Sequence, residues 1–320
     1  MISRLGRWQG KRRHVRDRPG ISMAGTDYRK RIRYFLGLII CGLSLQVAAG
    51  ARAAGATASA GAAAALRARH AQLSQALEHN QFQRPLALES NDSPGQLKGD
   101  IYAVVDFPYA SVNTALNNPA HWCDIVILHL NTKYCHATTA GLLQMAIGKK
   151  FDQPLEDAYR LDFSYRPALS SSEYFAVELA ADKGPLGTSD YRIVLEALAL
   201  SETKTFLHLT YAYSYNFVAS VAMQGYLATA GSAKIGFSKT AASNYIGGTR
   251  GIVERNTMRY YLAIEAYLNS LSSAPAEQPE KRLQSWFSAT ERYAPQLHEI
   301  DQNTYMKMKR AEYARQQTAQ

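Results

Sequence analysis

One long helical pattern near the end of the chain, preceded by a series of extended segments, constrains the fold more than any other feature. Residues 252–271 place Val253, Thr257, Tyr260, Ile264, Tyr267 and Leu271 on one stripe at three- and four-residue spacing, the pattern of a helix that lies across a sheet. Pro275 and Pro279 end it, and a shorter helix is predicted over 281–293. Ahead of it, residues 101–106, 125–130, 159–165, 174–180, 191–198 and 205–215 are rich in β-branched and aromatic side chains, as strands are. Residues 181–188 (ADKGPLGT) form a turn-rich connector between two such runs. Pro108 followed by residues 111–116 predicts a turn into a helix after the first strand, residues 216–229 turn helical, and 234–237 read as a last short strand. The class is α+β with an antiparallel meander.

Three stretches carry a family resemblance: residues 99–116 (GDIYAVVDFPYASVNTAL), Trp122-Cys123-Asp124-Ile125, and residues 252–271. Over about 98–271 the chain resembles the START-like (SRPBCC) superfamily. The resemblance implies a helix-grip fold, in which a curved antiparallel sheet wraps the last long helix and encloses an apolar cavity. It implies a hydrophobic small molecule, such as a lipid, as the ligand, while cavities of this kind also host catalysis in cyclases and hydrolases. The helical insert at 217–229 departs from the simple family pattern.

The N-terminal segment carries an address. Arg29, Lys30, Arg31 and Arg33 precede the apolar run 35–47, and the small residues 48–54 contain an Ala51-Arg52-Ala53 cleavage pattern, as in a secretory signal peptide. The run is shorter than the ~20 residues a membrane span needs, and Ile40 before Cys41 breaks a lipobox. Residues 23–53 are therefore expected to be a cleaved signal, with residues 1–22 an upstream extension ahead of a start at Met23. Of the 36 Lys+Arg and 26 Asp+Glu in the chain, residues 1–54 hold 12 and 2, leaving 24 of each and no net charge. The basic excess belongs to the targeting segment, and the exported chain lacks the uncompensated Lys and Arg of a nucleic-acid binder. The expected organisation is an Ala/Gly-rich leader and short helix over 54–97, the START-like domain over 98–271, and a helical extension over 272–320 whose basic end (Lys307, Lys309, Arg310, Arg315) reads as a solvated helix or a transient membrane contact.

Export makes Cys123 and Cys135 an even pair in an oxidising compartment. A straight strand between them would hold the sulfurs too far apart, so a bridge requires a reversal near residues 129–133; the alternative is two buried thiols. No metal-ligand spacing is present and no cofactor is implied.

Residues 206–215 alternate, with Tyr211, Tyr213 and Tyr215 on one face and His208, Thr210, Ala212 and Ser214 on the other. Aromatic walls ending in hydroxyls suit a lipid or ring-shaped ligand, and ordinary core packing is the competing reading. Arg255 and Arg259 stand one helical turn apart, with Asn256 beside them and Arg250 just before the helix. They suit the grip of an anionic head group or internal salt bridges. The sequence shows no GxSxG, HExxH, CxxC or phosphate-loop pattern. His208 is the one candidate general base, with Asp106, Asp190 or Glu254 as orienting carboxylates. The expected function is therefore an exported carrier of a hydrophobic small molecule, with an exported enzyme in the same cavity, or an envelope structural protein with a filled core, as the alternatives.

Overall fold

The computed structural model describes residues 57–229 and 231–318. The expected upstream extension and signal peptide, residues 1–53, lie outside the described residues. Eight strands form one antiparallel sheet in the order β1-β2-β8-β7-β6-β5-β4-β3. β1 (Leu86–Ser93) and β2 (Gln96–Val105) form a hairpin. Pro94-Gly95 is its two-residue turn, with Gly95 at φ +79°, where a glycine carries no steric penalty. α3 (Tyr109–Leu116) and α4 (Pro119–Val126) then cross to the far edge. From there β3 (Thr132–Ala137), β4 (Leu142–Ile147), β5 (Tyr159–Ser170), β6 (Tyr174–Lys183), β7 (Thr188–Ala199) and β8 (Thr205–Tyr215) meander back until β8 pairs with β2. α5 (Phe217–Ala228) follows, and α6 (Gly248–Ser270) lies across the concave face. This strand order, with the long helix seated against the sheet, is a helix-grip arrangement.

Glycine sets the closeness of that grip. A Cβ at Gly99 on β2 would lie 2.2 Å from the Thr257 hydroxyl of α6, so a side chain there would push the helix off the sheet. Along the stripe, Val253, Thr257, Ile264 and Tyr267 are buried as expected, Tyr260 is half-buried, and Leu271 falls past the helix end and is exposed. α7 (Gln278–Glu291), α8 (Ala294–Leu297) and α9 (Gln302–Thr318) close the back of α6. Trp286 donates to the Arg259 carbonyl at 3.1 Å and stacks on Tyr305 at 5.1 Å.

Several expectations need correction. Residues 57–65, expected as a flexible leader, are helical within α1 (57–72), which with α2 (Ser74–Glu78) packs Ala63, Leu66, Leu73 and Leu77 on the outer face of the sheet against Tyr102, Tyr174 and Phe206. Alanine is the strongest helix former and needs only one buried face to stay helical. The sheet begins at Leu86 and not at residue 98. Residues 125–130, expected as a strand, finish α4 and turn, because an apolar run buried on all sides has no period to separate strand from helix. Residues 234–237 join no named strand; among the described residues that region has one isolated bridge, Lys239 to Tyr245.

The same turn brings Cys123 and Cys135 together in a disulfide, with Cα atoms 5.2 Å apart. The C-terminal helix departs most from expectation. Lys309 and Glu312 are buried, not solvated. Lys309 Nζ donates to the carbonyls of His129 (2.6 Å) and Thr132 (2.8 Å), and the Tyr305 hydroxyl donates to that of Leu128 (3.0 Å). α9 thus satisfies backbone acceptors that the α4–β3 turn leaves open.

Candidate functional site

A cavity of about 420 Å³ lies between the concave face, α6 and α5, within the size range of small-molecule sites. Leu161 and Phe163 of β5, Tyr191 of β7, and Tyr211 and Tyr213 of β8 line its sheet side. Ile252, Arg255, Asn256, Arg259 and Tyr260 line its helix side, and His129, Asn131 and Thr132 of the α4–β3 turn, with Lys150, form one end. Ala219, Ala222, Met223 and Tyr226 of α5, with Pro185 and Leu186 of the β6–β7 turn, cover it.

The cover is built locally. Asn216 caps α5 by accepting from the Ala219 backbone N–H at 3.1 Å, and its own N–H donates to the Gly187 carbonyl at 3.0 Å. Gly187, at φ +81°, is the residue this contact demands, since a Cβ there would meet the Asn216 side-chain oxygen at 2.2 Å.

The aromatic rings form a ladder. His129 stacks on Tyr260 (5.1 Å), Tyr260 meets Tyr211 (5.1 Å), Tyr211 meets Tyr213 (5.7 Å), and Tyr213 stacks on Tyr191 (5.3 Å). Burial pushes the Tyr211, Tyr213 and Tyr260 hydroxyls above their ordinary pKa, so they remain neutral. Tyr191 donates to Thr188 at 2.9 Å and Tyr213 reaches the Met223 sulfur at 3.9 Å.

The other end is basic. Glu299 accepts from Lys150 at 2.6 Å and Arg259 at 2.7 Å, and lies 3.4 Å from Lys234. Burial, then the Arg259 charge, brings Lys150 down to about 8 against the pull of Glu299. Burial lowers Arg255 and Arg259 as well. Burial and the nearby charges of Arg259, Lys309, Lys150 and Lys133 hold His129 well below 6.5, so its ring is neutral. Glu299 is itself held low: burial acts to raise it, but Arg259 and Lys150 outweigh that.

Of the residues singled out from sequence, Tyr211, Tyr213, Arg255, Asn256 and Arg259 are brought together on this cavity. Tyr215 and Arg250 are not. Tyr215 lies at the end of β8 with its hydroxyl 3.5 Å from Asp92, and Arg250 donates to the Ser90 hydroxyl at 3.1–3.2 Å. His208 is on the outer face, where it bonds Glu196 at 2.7 Å and Asp100 at 3.0 Å and stacks on Tyr102 at 4.2 Å. Its carboxylates are therefore cross-strand neighbours and not Asp106, Asp190 or Glu254, and its position removes it as a base for the cavity. Sequence reasoning passed over His129, Lys150, Tyr191 and Tyr260 as site residues; only the aromatic content of their segments hinted at two of them. Among the described residues no group of His, Cys, Asp or Glu is arranged to hold a metal ion.

No family model matches the sequence, and no curated protein matches it significantly. Solved structures are similar in fold. One is the ZhuI aromatase/cyclase from Streptomyces sp. R1128, at 12% identity over 62% of this chain and 96% of that one, with a TM-score of 0.30. Another is Ara h 8.0201, at 9% identity over 55% and 99%, with a TM-score of 0.34. A third is a norcoclaurine synthase point mutant from Thalictrum flavum in complex with a transition-state analogue, at 13% identity over 43% and 91%, with a TM-score of 0.29. The fold assignment itself rests on the strand order, the register and the seat of α6.

Proposed function

We propose that this protein is an exported carrier that holds a hydrophobic small molecule, such as a lipid, in the cavity between the sheet and α6. The observation that carries the reading is the aromatic-walled space of about 420 Å³ that the chain's own tyrosines line but do not fill, which counts against a packed structural core. The signal-like N-terminal segment and the Cys123–Cys135 bridge support export to a periplasmic or secreted location. Transient membrane contact belongs to the same reading but shifts from the C-terminal helix to α5. Lys309 of the former is buried, whereas α5 exposes Phe217, Val218 and Val221 beside Leu186, and the chain has no Asp, Glu, Lys or Arg between Lys204 and Lys234.

Uptake of the neutral fluorophore N-phenyl-1-naphthylamine tests the reading. Saturable one-to-one binding in wild type, lost in Met223→Trp with the circular dichroism unchanged, is the expected result. No saturable binding in wild type would overturn it.

A further inference from the structure

The basic end of the cavity is short of negative charge. Lys150, Lys234 and Arg259 share one carboxylate, Glu299. Arg255, 2% exposed, adds a fourth cation, and no carboxylate among the described residues pairs with it; its Nη1 donates to the Ile235 carbonyl at 3.1 Å. The adjacent Glu254 is committed elsewhere, accepting from the backbone N–H groups of Phe237 (2.6 Å) and Ser238 (2.9 Å) and from the Ser90 hydroxyl (2.6 Å). Behind this end, Lys133 and Lys309 share Glu312, so they bring no spare anion. Arg255 and Arg259 are buried and Lys150 and Lys234 half-buried, and charge in such excess is costly unless something neutralises it.

Unpaired polar atoms stand in the same place. His129 Nε2, Arg259 Nε and Thr132 Oγ1 are buried, belong to residues that line the cavity, and have no partner among the described residues. His129 Nδ1 accepts from the Asn131 backbone N–H at 3.2 Å, which puts the proton of the neutral ring on Nε2. Two of the three atoms are therefore N–H donors and the third is a hydroxyl that can donate. Buried polar atoms are satisfied in the great majority of cases, and three on residues that line one cavity point to a missing acceptor. Water would satisfy the donors but leave the charge uncompensated.

We propose that the ligand is an amphiphilic oxyanion, with its carboxylate or phosphate at the Arg255, Arg259 and His129 end and its apolar body along Tyr260, Tyr211, Tyr213 and Tyr191. This rests on the carrier reading and adds the chemical class of the cargo. Arginine forks match the paired oxygens of either group, and the cover adds Tyr226, whose ring lies 5.9 Å from Lys150 Nζ.

Displacement of N-phenyl-1-naphthylamine by matched twelve-carbon probes tests the class: dodecanoate, dodecyl phosphate, dodecanol and dodecyltrimethylammonium. Dodecanoate or dodecyl phosphate should displace the dye at a concentration at least tenfold below that of dodecanol, and whichever of the two acts better identifies the head group. Arg255→Gln should bring that ratio close to one, and Arg255→Lys should restore part of it. Should Arg255→Gln fail to fold, Asn256→Asp places the opposite charge on the same wall and should turn the preference toward the ammonium probe. Equal displacement by dodecanoate, dodecyl phosphate and dodecanol in wild type, or an oxyanion preference that survives undiminished in folded Arg255→Gln or Asn256→Asp, would overturn the inference while leaving the carrier reading intact. Absence of dye binding would overturn both.

Discussion

Glu312→Gln should unfold the back of the molecule more readily than any surface substitution. Glu312 is 1% exposed and holds two buried ammonium groups, Lys133 at 3.1 Å and Lys309 at 2.7 Å. Burial, with Lys133 adding to it, brings Lys309 from 10.5 down to about 8 even with Glu312 pulling the other way. At about 1.4 kcal/mol per pH unit, holding that proton costs the native state about 3 kcal/mol at neutral pH. Removing one side of a buried pair typically costs ~3–5 kcal/mol, and since Lys309 can escape by losing its proton, a loss of about 3 kcal/mol at pH 7 is expected. Between pH 8 and 10.5 the unfolded chain binds more protons at Lys309 than the native one, so native stability rises with pH across that window. The variant, with Lys309 lowered further, starts that rise at lower pH, and its deficit should narrow by pH 9.5. Urea unfolding followed by the fluorescence of the buried Trp122 and Trp286 measures both quantities. A deficit under about 1 kcal/mol at pH 7, well below the range for a broken buried pair, or one unchanged at pH 9.5, would refute the reasoning.

Reduction of Cys123–Cys135, or a Cys123→Ser/Cys135→Ser double variant, should cost about 3 kcal/mol by the loop-entropy relation, read as a urea midpoint shift in the presence and absence of dithiothreitol. For His208, burial acts to lower the pKa, but hydrogen bonds to Asp100 and Glu196 outweigh it and raise it above 6.5. The stability His208 contributes is complete below 6.5 and fades as pH rises through the native value, so His208→Leu should cost more at pH 6 than at pH 8.5, and an equal cost at both would contradict the ion-pair account. Phe217→Asp and Val221→Asp should each reduce co-sedimentation with phosphatidylglycerol vesicles several-fold without loss of dye binding, whereas unchanged sedimentation would remove α5 as the membrane contact.

Strands β5 and β7 were legible because each buries one face, leaving a period of two in the residues. β6 and β8, buried on both faces, were legible by their β-branched and aromatic content, and the long helix by the stripe it turns to the sheet although α7 covers its back. β1 was not: after Leu86, Ala87 and Leu88 it reads Glu89, Ser90, Asn91, Asp92, the polar composition of an exposed edge. Arg255, Arg259 and Asn256 were found by helical spacing, but their setting was not, because Lys150, His129 and Glu299 come from three distant segments. The same limit explains His208, whose carboxylates on β2 and β7 are defined by strand register. It also explains the C-terminal helix, where Lys309 and Glu312 look like surface charge until the carbonyls of residues 129 and 132 are seen beneath them.

Native mass spectrometry of the protein, purified without detergent from the compartment to which it is delivered, tests the central claim most directly. A reproducible one-to-one adduct that extracts into organic solvent, and whose mass belongs to an amphiphilic acid, is the expected result. A clean apo mass that stays unchanged after incubation with total envelope lipids would contradict the account.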